Sequence, residues 1–159
     1  MSLTLTSEQV WKEIESGMFA VLGFVNPRGE SRSSGIVYHV RDRQLYISVY
    51  RDSWKARHIA KHPGVSLTIT LPKRISFLPW VKIPPATITF QADAEVHDFG
   101  GVDPAIGRAL LKGLELNVDP ATVIAIIRVK PRGEFLTYGI GVSLRTMMKP
   151  EQAAGRAPV

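Results

Sequence analysis

Short runs of apolar and β-branched residues, separated by turn residues, constrain the fold of this chain most strongly. The clearest run, residues 65–71 (Val-Ser-Leu-Thr-Ile-Thr-Leu), alternates between apolar and hydroxyl side chains, which is the pattern of a strand with one buried face. Short strands joined mostly by tight turns indicate a mainly β fold, a closed β-barrel of six or seven antiparallel strands with short helices. The predicted strands cover residues 18–25, 31–40, 44–50, 65–71, 86–98, 122–129 and 135–142.

Turn and cap residues mark the connections. The segment 26–29 (Asn-Pro-Arg-Gly) predicts a tight turn, because proline fixes the second position and glycine frees the fourth. Two more turns are expected at residues 41–43 and 131–133. Thr6 and Gln9 have the spacing of a capping box, which predicts a helix that ends by residue 17.

Two further segments have a predicted conformation. Asp103 and the proline after it predict a helix over residues 104–116, with Ile106, Gly113 and Leu114 on its buried face. The predicted strands end at residue 142, and residues 143–159 are expected to form a tail. The first predicted strand, residues 18–25, is apolar almost throughout, so we expect it to be buried in the centre of the sheet.

A proline-rich segment, Pro72 to Pro85, interrupts the strand pattern. It contains four prolines and three cations (Lys73, Arg74 and Lys82) but no acid. Prolines this close together exclude a central strand or a long helix. We expect a long basic loop, which either forms a lid over a pocket or packs Phe77, Leu78 and Trp80 on a barrel end or a subunit interface.

Composition limits the class of protein. A chain of 159 residues suits one domain, residues 1–159, and the lack of cysteine excludes disulfides and cysteine catalysis. No signal pattern and no apolar run of about 20 residues occurs, so no membrane partner and a cytoplasmic location are expected. The net charge is +6, but the cations are dispersed and no nucleic-acid-binding motif accompanies them. Nucleic acid is therefore not the expected partner, and a small anionic ligand accounts for the charge equally well.

The densest group of cations surrounds a predicted helix start. Ser53 is a natural N-cap, and Arg51, Lys55 and Arg57 lie on or beside the end of the helix where backbone N–H groups are free. Free N–H groups, the helix dipole and cations together form an anion site, for which phosphate is the usual ligand. The alternative is a solvated basic helix that only links two strands. In either case Ala56, Ile59 and Ala60 are expected to be buried.

Other chemistry is weakly represented. His58 and His62 have the spacing of a helical metal pair, but Pro63 ends the helix and no third ligand is near, so no metal is expected. The chain has no nucleophile-elbow motif and no glycine-rich phosphate loop. An enzyme with this sequence would therefore rely on a bound cofactor for its chemistry.

Three segments resemble a known family. They are residues 19–34 (Phe-Ala-Val-Leu-Gly-Phe-Val-Asn-Pro-Arg-Gly-Glu-Ser-Arg-Ser-Ser), residues 44–48 (Gln-Leu-Tyr-Ile-Ser) and residues 53–67 (Ser-Trp-Lys-Ala-Arg-His-Ile-Ala-Lys-His-Pro-Gly-Val-Ser-Leu). This order is similar to that of the pyridoxamine 5'-phosphate oxidase-like flavin-binding split barrels, over about residues 7 to 98. The resemblance implies a split-barrel homodimer with FMN in the groove between the subunits.

The resemblance also implies roles for individual residues. Ser53 and Lys55 match the phosphate-binding serine and lysine of the family, Ser48 matches a small hydroxyl residue beneath the flavin, and Ser34 begins the flavin contact of the second strand. His39 stands where that strand has a cation, and it either donates to the ligand or lies at the barrel mouth. Arg51 and Arg57 are assigned to the cofactor site from charge and position alone.

Departures from the family pattern shape the expected function. Trp54 replaces the usual arginine between the serine and the lysine, and the C-terminal tryptophan and Arg-Leu segment are absent, so oxidation of vitamin B6 is not expected. We expect an FMN-dependent oxidoreductase that transfers hydride to or from an unknown small molecule. The alternatives are a deazaflavin-dependent reductase, with the loop cations on the cofactor tail, and a non-catalytic flavin- or haem-binding protein.

Overall fold

A computed structural model describes residues 3–73 and 80–159, which contain nine strands and six short helices. The strands are β1 Leu3–Thr4, β2 Phe19–Val25, β3 Ser31–Val37, β4 His39–Arg41, β5 Gln44–Tyr50, β6 Gly64–Leu71, β7 Ala86–Asp98, β8 Ile124–Tyr138 and β9 Ala154–Pro158. The helices are α1 Ser7–Ser16, α2 Trp54–Lys61, α3 Pro104–Leu111, α4 Pro120–Val123, α5 Leu144–Met147 and α6 Pro150–Ala153, and a single 3₁₀ turn spans Phe99–Gly101. None of the helices in these ranges has the length and apolar character needed to cross a membrane.

Six strands close into a barrel. Strand β2 pairs with β3 on one side and β6 on the other, and β6, β7, β8 and β5 follow in antiparallel order. Strand β4 pairs with β5 and continues β3 beyond Tyr38, which completes the ring. The predicted mainly β barrel is confirmed. The terminal strands extend it, because β9 pairs with β8 and the short β1 lies parallel to β9, so the whole sheet is mixed.

Alternate residues of each strand fill the barrel. The main core receives Ala20, Leu22 and Phe24 from β2, and Val65, Leu67 and Ile69 from β6. Each large apolar side chain buried in this way contributes about 1.5–3 kcal/mol. Helix α1 adds Trp11, whose ring meets Phe135 edge-on at 5.5 Å.

Several local predictions are confirmed. The Thr6 amide donates to the Gln9 side chain at 2.8 Å and the Gln9 amide donates to the Thr6 hydroxyl at 3.2 Å, which is the predicted capping box. The turn at residues 26–29 forms, with Gly29 at φ +78° and its amide donating to the Asn26 carbonyl at 2.9 Å. Strands β5 and β7 have the predicted bounds.

Two predictions about burial were wrong. Strand β2 is not buried on both faces, because Val21 is 36% exposed and only the alternate residues enter the core. Helix α3 ends at Leu111 instead of residue 116, because the chain reverses at Gly113 with φ +81°. Consequently Leu114, expected on the buried face, is 59% exposed.

The region after residue 130 also differs from the prediction. The turn expected at residues 131–133 is absorbed into β8, which runs on to Tyr138 past a register shift opposite the segment 89–91 of β7. Gly133, at φ +77°, supplies the irregular backbone conformation there. The expected tail contains α5, α6 and β9, and β9 pairs with the end of β8.

The proline-rich loop is described in part. The ammonium group of Lys73 donates to the Val142 carbonyl at 3.1 Å. Trp80, at the other end of the loop, is strongly exposed. The predicted roles of Arg74, Phe77 and Leu78 fall on residues 74–79, which lie outside the described residues.

The pairing of β9 with β8 predicts a specific loss of stability. Ala157 is buried opposite Phe135, whereas the next residue, Pro158, is exposed. Ala157→Lys should lower the free energy of unfolding by about 2–4 kcal/mol, because the amine loses its hydration in the core. Urea denaturation measures this effect. The matched variant Pro158→Lys should change the free energy of unfolding by less than about 0.5 kcal/mol. Equal losses of stability in both variants would refute the docking of β9.

Candidate functional site

The start of α2 leaves backbone donors free. The Ser53 hydroxyl accepts a hydrogen bond from the Ala56 amide at 3.2 Å, and the Ser53 carbonyl accepts one from the Arg57 amide at 3.2 Å. This is the predicted N-cap, and it is confirmed. The amides of Trp54 and Lys55 have no acceptor within residues 3–73 and 80–159. They lie at the positive end of the helix dipole, where an anion is stabilised.

Lys55 adds a poorly compensated charge to these amides. Its side chain is half-buried, and burial lowers the pKa of its ammonium group below the ordinary value of 10.5. No carboxylate in the described part of the chain forms an ion pair with it. A bound anion would favour the charged amine, so the donor set fits a phosphate group.

The rest of α2 is basic and solvated on one side. Arg57 and Lys61 are exposed and α2 contains no acid, whereas Ile59 and Ala56 enter the main core. The predicted burial of Ala60 was wrong, because this residue is exposed. The helix is thus held by a narrow apolar stripe, and its cations face solvent at the end of the barrel.

Arg51 is turned to other partners. Its guanidinium group donates to the Ala121 carbonyl at 2.8 Å and lies 3.3 Å from the Asp98 carboxylate. Its amide donates to the Val123 carbonyl at 2.8 Å. These contacts tie the end of β5 to α4 and to the end of β7. Arg51 therefore acts as a structural anchor, and its assignment to a phosphate stays a prediction that this geometry does not favour.

An aromatic cluster flanks the free amides. The Trp54 ring lies 5.3 Å from Phe24 at an angle of 38° and 5.8 Å from His58 at 62°. Phe24 is buried, and the Nδ1 atom of His58 is buried with no hydrogen-bond partner in the described ranges. The four-residue spacing of Trp54 and His58 signals their contact in the sequence, but nothing local predicts that Phe24 joins them.

The remaining predicted residues divide between the two surfaces of the barrel wall. Ser48 alternates with the core residues of β5 and therefore faces outward. His39 also faces outward, because it pairs with Tyr46, which packs beneath α3 outside the barrel. Ser34 pairs with the core residue Leu22 and lies on the inward-facing side of β3. The structure thus places Ser48 and His39 on one surface and separates Ser34 from them.

Two adjoining grooves were not predicted. One, of about 340 Å³, is bordered by Phe24 and Arg32, and the other, of about 400 Å³, by Leu136 and Arg156. Ser66, Gln91 and Arg132 line both grooves. Phe24 borders the smaller groove and also contacts Trp54 of α2. The residues that line the two grooves come from six different strands, so only the assembled barrel brings them together.

A third cavity, of about 250 Å³, lies under α3 and is polar. Its charges are paired, since Arg41 lies 3.0 Å from Asp103 and Arg128 donates to Glu95. The hydrogen bond and charge of Arg128 lower the pKa of the Glu95 carboxyl group. His97 Nε2 is 3.3 Å from the same carboxylate but poorly aligned for a hydrogen bond. Paired charges make this cavity a weaker anion site than the start of α2.

Comparisons with known proteins identify the fold. No protein-family model and no curated protein sequence matches the chain. Solved structures match at low identity. An F420 reductase is 16% identical, with 78% of this chain and 93% of that chain covered at a TM-score of 0.55. A candidate pyridoxamine 5'-phosphate oxidase from Listeria innocua is 14% identical. The match covers 79% of this chain and 93% of that chain at a TM-score of 0.61. HutZ, the haem storage protein of Vibrio cholerae, is 14% identical. The match covers 89% of this chain and 98% of that chain at a TM-score of 0.59.

The lowered pKa of Lys55 predicts a response to anions. NMR titration of the Lys55 ammonium group should give a pKa below 10.5, and inorganic phosphate should raise that pKa, because a nearby anion favours the charged form.

The same lowered pKa predicts a pH dependence of stability. Without phosphate, the Lys55 amine keeps its proton up to a higher pH in the unfolded chain than in the folded protein. Lys55 therefore makes stability rise as the pH increases from the lowered pKa towards 10.5. Lys55→Met should remove that rise, and an ordinary pKa that ignores phosphate would refute the anion site.

Proposed function

We propose that this chain, which has the split-barrel fold of the pyridoxamine 5'-phosphate oxidase-like proteins, is a flavin-dependent oxidoreductase that binds FMN at the start of α2. The observation that carries the proposal is the pair of free amides at Trp54 and Lys55 beside an ammonium group that has no carboxylate partner in the described residues. A phosphate of charge about −1.5 to −2 would satisfy both amides and the lysine.

Each residue of the site then has a limited task. Ser53 fixes the helix start, so that the two amides point at the phosphate, and Lys55 neutralises it; Arg57 adds a solvated charge. A flavin ring on the outer surface would meet Ser48 and His39 and not the inward-facing Ser34. When bound, the flavin supplies hydride transfer, and the protein supplies binding and orientation.

The groove beside Phe24 is our proposed binding surface for a small molecule other than the hydride donor or acceptor, which has to contact the flavin ring at Ser48 and His39. Its lining combines apolar side chains with the polar side chains of Ser31, Ser66 and Gln91, and Arg32 and Arg132 also border it. Both arginines have exposed carboxylate neighbours, Glu30 at 3.3 Å and Asp93 at 3.6 Å. Exposed pairs of this kind exchange partners at little cost, so a polar or anionic molecule suits the groove.

Fewer observations support the two alternative functions, a deazaflavin-dependent reductase and a non-catalytic flavin- or haem-binding protein. Similarity to an F420 reductase favours a deazaflavin cofactor, but Lys73, one of the loop cations expected on its tail, already donates to a carbonyl. Similarity to HutZ favours a non-catalytic haem-binding protein. Absorption spectra of the purified protein with FMN, deazaflavin and haem, followed by photoreduction and reoxidation with candidate acceptors, discriminate among the three.

The FMN proposal predicts a contrast between two cations. Lys55→Met should weaken FMN binding at pH 7 by about tenfold or more, because a charge-assisted contact of about 1.5–3 kcal/mol is lost. Arg51→Met removes the same charge four residues earlier in the chain, but its guanidinium group is occupied elsewhere, so FMN affinity should fall by less than about threefold. Calorimetric titration measures both dissociation constants.

Two outcomes of these titrations would contradict the proposal. If wild-type protein binds neither FMN nor deazaflavin at micromolar concentration, the proposed function is wrong. If FMN binds and Lys55→Met leaves its affinity unchanged, the phosphate lies elsewhere and the start of α2 has no role in binding. Thermal unfolding of both variants verifies that the protein remains folded.

We also propose that the protein acts as a homodimer. Three apolar side chains lie next to one another on the outward side of β2 and β3: Phe19, Val21 and Val37, where Phe19 pairs directly with Val37. Isolated exposed apolar residues are common, but a contiguous patch favours association. A second copy is the occupant we propose, because a two-fold axis would lay this face on itself.

The dimer has a direct test. Sedimentation of wild-type protein should give a dimer mass, and Val21→Glu combined with Val37→Glu should give monomers, since like charges would be buried at the contact. Leu114→Glu adds a charge at another exposed apolar residue and should leave the dimer intact. Monomeric wild-type protein, or a dimer that survives the double substitution, would contradict the proposal.

A further inference from the structure

Trp54 presents a fixed aromatic face to solvent. Its side chain is 46% exposed, although the ring packs on buried Phe24 and touches the edge of His58. Phe24 is anchored in the core of β2, and His58 lies one turn along α2. A tryptophan held in this way loses little conformational entropy when another ring stacks on its free face.

The same residue carries one of the free amides. A phosphate on the amides of Trp54 and Lys55 would lie beside the indole ring. FMN ends at that phosphate, whereas a dinucleotide flavin continues through a second phosphate to an adenine. The exposed cation Arg57, in the first turn of α2, has no ion-pair partner in the described residues and provides charge for a second phosphate.

From these contacts we propose that Trp54 stacks on the adenine of a dinucleotide flavin, so that the site selects FAD over FMN. The inference rests on the proposed function and deepens it, since the flavin phosphate occupies the same two amides. The indole supplies a large flat surface on which the adenine of a dinucleotide can stack, and FMN has no base to use it. Trp54 is thus a specificity-determining residue beside the phosphate site.

Calorimetric titration with FAD, FMN and ADP tests the inference. Wild-type protein should bind FAD at least about tenfold more tightly than FMN, the gain expected from one stacked base. Trp54→Leu, which keeps apolar packing on Phe24, should weaken FAD and ADP by about tenfold and change FMN by less than about threefold. Trp54→Phe should retain most of the preference, and Trp80→Ala, at a strongly exposed tryptophan elsewhere, should retain all of it.

Each outcome separates the inference from the proposed function. Equal affinity for FAD and FMN, with Trp54→Leu affecting both or neither, overturns stacking and leaves the flavin site in place. Binding of ADP that depends on Trp54, without binding of either flavin, overturns the proposed function and the selection of FAD, and it leaves only a stacking site for adenine. Absence of binding by all three ligands overturns both. Unfolding midpoints of the variants show whether a loss of affinity reflects a loss of structure.

Discussion

Pairing along β8 is the interaction on which the rest of the structure depends. The first half of this strand is hydrogen-bonded between β5 and β7, and its second half between β7 and β9. The change of partner at the irregular segment near Gly133 lets one 15-residue strand both close the barrel and bind the C-terminal strand. Strands β2, β5, β6, β7 and β8 are paired on both edges, and the barrel encloses the apolar faces of β2, β5, β6 and β7.

The position of α2 follows from this closure. Ala56 and Ile59 are buried in the core that the barrel encloses, and the N-cap at Ser53 fixes where the helix begins. The residues that anchor the helix are therefore distinct from those that face a ligand. Lys55 lies at the border, sufficiently buried for its pKa to be lowered and without a carboxylate partner in the described chain. A bound anion would stabilise the charge of this partly buried ammonium group, and this is the physical basis of the proposed cofactor site.

Local patterns predicted most of the elements but not their relations. The capping box at Thr6, the strand over residues 86–98 and the N-cap at Ser53 depend on near neighbours, so the sequence predicted them correctly. The turn expected at residues 131–133 failed because pairing with β7 carries β8 through this segment and overrides local turn preference. The partners of Arg51 are 47 and 70 residues away in the sequence, and no local pattern reports such contacts. The separation of Ser34 from Ser48 likewise depends on strand register.

The central claim is that α2 begins at an anion site formed by the amides of Trp54 and Lys55. Two-dimensional ¹⁵N–¹H spectra during titration with FMN test it most directly, because each backbone amide reports its own hydrogen bonding. The largest shifts should occur at these two amides, in the direction of stronger hydrogen bonds, and should saturate with the binding curve. Saturating shifts confined to residues remote from α2, such as the polar cavity at Arg128, would contradict it.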